Sequence, residues 1–166
     1  MDEKDTRNSQ DNAAEMELNE ERSEHGKIFA LFLRQPFADD LANGRKTIEI
    51  RSKCTPYRGR VLICSTTRYS YGGRNPMMAG CSVGIAELYD IMPVSELTGE
   101  EWEHTRVPIH RRMTVKGGWA WLFRDCKRII EYPCRSKNKI AWVPFHEGDI
   151  FPYPQNVILD INLFSQ

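Results

Sequence analysis

Short runs of apolar residues, many of them alternating with polar ones, recur along the chain and are separated by turn residues. β-Branched and aromatic side chains dominate these runs, which favours strands over helices. Strands are predicted at residues 27–33, 45–51, 60–66, 81–92, 119–123, 128–132 and 157–164. The number of short strands predicts a sheet as the main element of the fold.

Two short helices are predicted between these strands. Pro36 suits a first helical turn, and the segment PFADDLANG ends at Gly44, a residue typical of helix C-termini. A second helix is predicted from Ser95. Residues 69–80 and 106–118 are predicted to be loops, the first rich in glycine and the second basic. This pattern favours an α+β fold built on a compact barrel or curled sheet.

The first 26 residues differ in composition from the rest of the chain. They hold nine acidic and three basic side chains, a net charge of −6, and few large apolar residues. Such a segment cannot bury enough apolar surface to offset the entropy of ordering it. We therefore predict a disordered acidic tail at 1–26 and one domain at 27–166.

The neutral charge of the whole chain hides a basic domain. Because the chain has 23 basic and 23 acidic side chains, residues 27–166 carry 20 and 14 of them, a net charge of +6. One acid, Glu49, lies among the eight basic residues of segment 45–74: Arg45, Lys46, Arg51, Lys53, Arg58, Arg60, Arg68 and Arg74. A field of this kind attracts phosphate, although a solvated surface is an equal alternative. Arg111, Arg112 and Lys116 likewise form either a second phosphate contact or a solvated loop.

Several function classes find no support in the sequence. The five cysteines form no C-x-x-C pair, so free and mostly buried thiols are expected. Nothing resembles a metal site, a P-loop or a dinucleotide fingerprint, so neither a metal nor another cofactor is expected. No apolar run approaches the roughly 20 residues of a membrane span, and no signal peptide is visible. An intracellular protein without a membrane partner is expected.

Strand parity brings two charged side chains of segment 45–51 together. Ile48 and Ile50 share one face of the predicted strand, whereas Glu49 and Arg51 share the other. Lys46 lies at the helix-to-strand turn and could point to either side. The cluster is either a surface ion pair, worth about 0–1 kcal/mol, or a site that binds or acts on a ligand.

Aromatic residues provide a second set of candidates. Trp119, Trp121 and Phe123 share one face of a strand, where they either pack in the core or stack against bases. Tyr57 and Tyr69 flank the basic segment and are further stacking candidates.

The stretch GRKTIEIR (44–51) resembles the G-x-K-x-x-E-x-R signature of the ASCH domain, which is named for homology to activating signal cointegrator. Three other stretches are similar to the family as well. LRQPFADDLANG resembles its strand-to-helix connection, YRGRVLICST its central strand and GGWAWLF a late strand. The resemblance extends over roughly residues 28–145.

This resemblance implies a small PUA-like β-barrel with two or three short helices. In the family, the motif lines a cleft proposed to receive RNA or a modified nucleotide. Lys46 and Arg51 would then meet phosphate or a base edge, and Glu49 would accept from a base or ribose. The residues expected to bind RNA or the nucleotide are Arg34, Gln35, Lys46, Glu49, Arg51, Tyr57, Arg58, Arg60 and Trp121.

An enzyme is the alternative that the resemblance leaves open. One bacterial branch of the family hydrolyses the acetyl amide of N4-acetylcytidine with a Lys, a Thr and a distant Glu. Lys46 matches the Lys, but Glu49 takes the Thr position, and Thr105 takes the Glu position, with Glu103 two residues away. Lys46 and Glu49 are the catalytic candidates for a hydrolase of a nucleoside or of RNA.

A protein-interaction module is a third hypothesis, in which the acidic tail or loop 69–80 contacts a protein partner. The tail could also act within the chain, as a weak electrostatic screen over the basic domain.

Deleting residues 1–26 is therefore expected to tighten RNA binding at low salt and to change it little at high salt, where screening removes the competition. Titrations of short RNAs into the full and truncated chains at two ionic strengths measure this. Equal affinities at low ionic strength would contradict the screen.

Overall fold

The computed structural model describes residues 26–146, together with Glu17 and Gly148. The strands among them are β1 (Lys27–Gln35), β2 (Ile48–Arg51), β3 (Gly59–Tyr69), β4 (Cys81–Pro93), β5 (Trp119–Pro133) and β6 (Ile140–Pro144). They form one sheet in the order β2-β5-β4-β3-β1-β6. β1 and β3 are parallel, and all other neighbours are antiparallel. The α-helices among these residues are α1 (Phe37–Ala42), α2 (Gly99–Glu103) and α3 (Ile109–Arg112).

This mixed sheet is open in the described part of the chain. β2 and β6 lie at its two edges and do not pair with each other, so the prediction of a closed barrel is wrong. β2 is only four residues long, and its ladder bonds go to β5. The side chain of Arg51 nevertheless crosses the gap, because its Nη2 donates to the carbonyl of Lys139 at 3.1 Å, one residue before β6.

β1 is buried on both faces, as the continuous apolar run KIFALFL predicts for a strand inside a sheet. Phe29, Leu31 and Leu33 belong to the core beneath α1, whereas Ile28 and Ala30 belong to a second cluster on the opposite face. β1 and its parallel partner β3 are both inner strands of the sheet, and their C-terminal ends point in the same direction.

Helix α1 packs on β4 at a position that only glycine allows. Ala38, Leu41 and Ala42 are fully buried in the first core cluster. A Cβ atom on Gly84 would lie 2.5 Å from the Cβ of Ala42 and 2.9 Å from the carbonyl oxygen of Lys127. The helix ends at Ala42, and Gly44, the predicted stop, follows two residues later with a positive φ of 72°.

The predicted strands at 27–33, 60–66 and 81–92 and the helix after Pro36 are confirmed, but other elements differ. The second helix starts at Gly99, because the Thr98 side chain accepts from the backbone N–H of Glu101 in a capping box. The predicted loop 106–118 contains α3 and the 3-10 turn Met113–Val115.

Two predicted strands are in fact one, and one strand was not predicted. Residues 119–123 and 128–132 both belong to β5, which continues through Arg124 and Asp125. Asp125 has a positive φ of 50°, and the register with β4 shifts in this region, so the polar residues mark a bulge and not a turn. β6 was missed because its apolar run, IAWV, is short and is preceded by polar residues.

Two other predictions lie outside the described residues: the acidic tail, apart from Glu17 and Gly26, and the strand at 157–164. Cys64, Cys81 and Cys134 are buried free thiols, in agreement with the sequence. None of the helices in the described residues has the length and apolar character that crossing a bilayer requires.

Gly84→Ala is expected to destabilise the protein by about 1–3 kcal/mol, because the added methyl group must push α1 away from β4. Gly117→Ala is a matched control, since a Cβ atom there meets nothing within 4 Å. Urea unfolding followed by circular dichroism gives both free energies of unfolding. Equal losses in the two variants would contradict the close approach at Gly84.

Candidate functional site

A cleft of about 620 Å³ opens where β1 and β3 end. The start of α1, strand β2, α3 and the connection between β5 and β6 complete its walls. Its described lining consists of Phe32, Leu33, Arg34, Phe37, Glu49, Arg51, Thr66, Thr67, Arg68, Ser70, Arg111, Ser136, Lys137, Asn138 and Lys139. The volume lies within the range of small-ligand sites.

Lys46 lies behind this cleft and is almost completely buried, with 2% of its surface exposed. Its Nζ donates to the carbonyl of Ile48 at 2.8 Å and to that of Thr105 at 2.5 Å. The same Nζ lies 3.0 Å from Oε2 of Glu49. An ammonium group has three donors, and all three have partners. Lys46 is not among the described lining of the cleft, and its contact with phosphate or a base edge stays a prediction.

Glu49 and Arg51 point into the cleft from one face of β2, as strand parity predicts. Oε2 of Glu49 is held by Lys46, and Oε1 lies 3.9 Å from Nη1 of Arg51. Burial lowers the pKa of the Arg51 guanidinium, and the Glu49 carboxylate partly offsets this effect. An arginine so close to a carboxylate stays charged. The cleft floor thus presents an oriented carboxylate beside a guanidinium.

The charges around this floor are mostly positive. Six basic side chains and one acid line the cleft: Arg34, Arg51, Arg68, Arg111, Lys137 and Lys139 against Glu49. In the described structure, all of these cations except Arg51 lack a side-chain hydrogen bond or an ion pair. Elsewhere, six arginines each pair with a carboxylate: Arg45, Arg58, Arg106, Arg112, Arg124 and Arg128. The cleft is therefore a place where positive charge is left available.

Gln35 supports the cleft from behind and does not line it. It is fully buried, and its Oε1 accepts from the backbone N–H of Asp39 at 3.1 Å. Its Nε2 donates to Oδ1 of Asp39 and to the carbonyl of Met78, both at 3.0 Å. Its amide thus fixes the start of α1 and the loop after β3, and a contact of Gln35 with the ligand stays a prediction.

Tyr57 and Trp121 belong to the core. Tyr57 stacks on Phe29 with ring centroids 4.4 Å apart, and its hydroxyl donates to the carbonyl of Arg60. Burial raises the pKa of Tyr57 to about 12. Trp121 is fully buried, and its Nε1 donates to the carbonyl of Lys53. Both rings pack in the first core cluster, which for Trp121 is one of the two alternatives that the sequence left open.

Arg58 and Arg60 lie at the opposite end of β3 from the cleft. Arg60 and Arg68 are eight positions apart along β3, which corresponds to roughly 26 Å. Arg58 bonds the carbonyls of Thr55 and Tyr57 and lies 3.8 Å from Asp90. Arg58 and Arg60 therefore lie far from Glu49, and their predicted contacts with the ligand stay predictions. Arg34, in contrast, is exposed at the end of β1 and lines the cleft.

Several lining residues were not predicted to bind. Phe37 is half-buried at the start of α1, and the sequence placed it only within the first predicted helix. Thr66 lines one wall with a buried Oγ1 that has no hydrogen-bond partner. Residues 136–139 belong to a connection without a sequence motif, and only their polar composition could have marked them as surface. Arg111, a candidate phosphate contact, does line the cleft.

Metal ligation is not indicated by the side chains described. No three His, Cys, Asp or Glu residues come together there in an arrangement that could hold an ion. The cleft is organised instead around one carboxylate and several nitrogen donors.

The fold is similar to that of an ASCH protein from Zymomonas mobilis. Its crystal structure superposes with a TM-score of 0.56 at 19% identity, covering 70% of this chain and 87% of that one. The tyrosine-to-phenylalanine and serine-to-alanine variants of that protein give the same TM-score and identity. The superposition covers 90% of the chain of the first variant and 89% of that of the second. At this identity the likeness concerns the fold alone.

Sequence comparison extends this likeness to the family level. No curated protein sequence gives a match to the chain. The family model of the ASCH domain, however, matches residues 31–150, which include the second half of β1, the signature stretch, the described lining of the cleft and β6. The chain therefore belongs to the ASCH domain family, a PUA-like family of RNA-binding domains.

Proposed function

We propose that this protein binds RNA or a modified nucleotide in the cleft above β2, without catalysing a reaction on it. The observation that carries the proposal is the arrangement of charge. One oriented carboxylate lies on the floor, and the surrounding cations have no acidic partner in the described structure. A polyanion with hydrogen-bond donors on its bases is the ligand class that complements this pattern.

Glu49 is the residue that reads the ligand. Its Oε2 is fixed by Lys46, so the carboxylate has a defined orientation and Oε1 faces the cleft. A carboxylate accepts from the exocyclic amine of a base, from a ring N–H or from a ribose hydroxyl. The hydroxyl of Thr66, which is buried without a partner in the cleft wall, supplies a second polar contact.

The rim supplies the phosphate contacts. Arg34 and Arg68 extend from the ends of two neighbouring parallel strands, Arg111 approaches from α3, and Lys137 and Lys139 approach from the connection before β6. Phe37, half-buried beside them, is placed to stack on an unpaired base. Single-stranded RNA presents both features, since its bases are splayed out and its backbone is continuous.

The hydrolase alternative has weaker support. An acid or base must exchange a proton with the substrate, whereas Lys46 is buried and all its donors are occupied. The hydroxyl of Thr105 is likewise turned away, because it donates to the carbonyl of Trp102. Glu103 lies at the surface, paired with Arg112. None of these three side chains is among the described lining of the cleft.

Removing rim charge is expected to weaken RNA binding and to reduce its salt dependence. The logarithm of the association constant falls with the logarithm of the salt concentration. Each of Arg34→Ala and Arg111→Ala should make this slope less steep by up to about 1, the effect of one lost phosphate contact. Arg58→Ala is the matched control, because it removes the same charge far from the cleft. Fluorescence anisotropy with a short single-stranded RNA at several salt concentrations measures all three. Equal effects of the three substitutions would place the interface elsewhere, and an absence of RNA or nucleoside binding at low salt would refute the proposal.

Lys46→Met is expected to lower the free energy of unfolding by about 3 kcal/mol, because two buried carbonyls lose a donor and Glu49 loses its counter-charge. Lys53→Met, an exposed position, is the control and should change stability by less than about 0.5 kcal/mol. Denaturant titrations provide the values. If Lys46→Met unfolds like the wild type but abolishes a turnover of N4-acetylcytidine that the wild type performs, Lys46 is catalytic and the binding-only proposal fails.

A further inference from the structure

We infer that the binding site continues beyond the cleft into a second cavity between the two open edges of the sheet, and that it takes a stretch of at least two nucleotides. This inference rests on the proposed function. It adds the length and path of the ligand, which distinguish a single-stranded oligonucleotide from a lone nucleoside.

The second cavity is similar in size to the cleft, about 610 Å³. It lies between the end of β2 and the start of β6, where the sheet fails to close. Its described lining is Ile50, Arg51, Ser52, Lys53, Trp121, Asn138, Lys139 and Ile140. Trp121 is fully buried, so it lies beneath the wall of this cavity and is not available as a contact.

The two cavities adjoin. Arg51, Asn138 and Lys139 line both of them. Each volume is large enough for one nucleotide-sized group. A ligand that fills the cleft therefore meets the second cavity directly, on the other side of the Arg51 side chain.

Arg51 is placed where two successive nucleotides would be joined. Its Nη2 donates to the carbonyl of Lys139, and its guanidinium lies over the Trp121 ring at 5.9 Å. Both contacts fix the side chain across the gap. A guanidinium has five N–H donors, of which this hydrogen bond uses one. The remaining donors can bind the phosphodiester that links a base in the cleft to its neighbour.

The chemistry of the second cavity also favours a nucleic acid backbone. Its charged lining residues are Arg51, Lys53 and Lys139, with no carboxylate among the residues described. Lys53 and Lys139 are exposed. The main chain at Lys53 is fixed, because its carbonyl accepts from Nε1 of Trp121, so the ammonium group extends from a rigid base. Ser52 and Asn138 add neutral hydrogen-bonding groups.

The test compares ligand lengths against variants of each cavity. Isothermal titration calorimetry would use a nucleoside 5′-monophosphate, a nucleoside 3′,5′-bisphosphate and single-stranded RNAs of two and four nucleotides. The bisphosphate controls for charge, since it carries two phosphates on one nucleoside. The variants are Lys53→Ala in the second cavity, Lys137→Ala in the cleft alone, and Arg58→Ala as the distant control.

We expect the dinucleotide to bind at least about fivefold more tightly than the bisphosphate. Lys53→Ala should weaken the binding of the RNAs by about threefold to tenfold and leave the mononucleotides unchanged, whereas Lys137→Ala should weaken every ligand. If the bisphosphate binds as tightly as the dinucleotide, or if Lys53→Ala has no effect at any length, the second subsite is overturned while the proposed function stands. If no ligand binds to the wild type, the second subsite and the proposed function are both refuted.

Discussion

The site depends on the satisfaction of one buried charge. A lysine ammonium without water needs a full set of hydrogen-bond partners, or its burial costs several kcal/mol. Lys46 obtains them from Ile48, Thr105 and Glu49. These partners come from the edge strand β2 and from the residues that follow α2. The ammonium therefore joins β2 to the residues after α2, and the amides of Thr47 and Ile48 reinforce the junction by donating to the carbonyl of His104.

The same bond set explains why an edge strand of four residues can carry a binding site. β2 pairs on one side only, with β5, and such short edges are easily displaced. Lys46 fixes the strand from behind, while Arg51 anchors its end through Trp121 and the carbonyl of Lys139. The open edge is thus held in place without being covered. In a closed barrel, the backbone N–H and C=O groups on the open edge of β2 would pair with another strand, and no gap would remain beside the cleft.

Sequence patterns predicted what depends on local periodicity. Strand parity correctly placed Glu49 and Arg51 on one face, since alternation is a property of the backbone itself. Parity could not decide the orientation of Lys46, which lies before the strand, nor say that Tyr57 and Trp121 are buried while Arg34 is exposed. Those outcomes depend on which elements cover each face. The basic segment 45–74 likewise looked like one surface, but β3 separates its two ends. Two of its arginines are also paired with acids, Arg45 with Asp40 and Arg58 with Asp90.

The distribution of ion pairs links this architecture to binding. Residues 27–166 hold 20 basic and 14 acidic side chains, so not every cation can have a carboxylate of its own, and the pairing in the described structure leaves most cations of the cleft without one. Asp40 pairs with two arginines, Arg45 and Arg106, while Arg34 and Arg68 have no carboxylate partner among the described residues. Like charges held together in this way repel each other, which slightly destabilises the unliganded protein. Under the proposed function, a polyanionic ligand would remove that repulsion, and because it would bind only the folded state, its binding energy would add to the stability of the fold. The unpaired cations of the cleft would therefore link ligand binding to the stability of the fold.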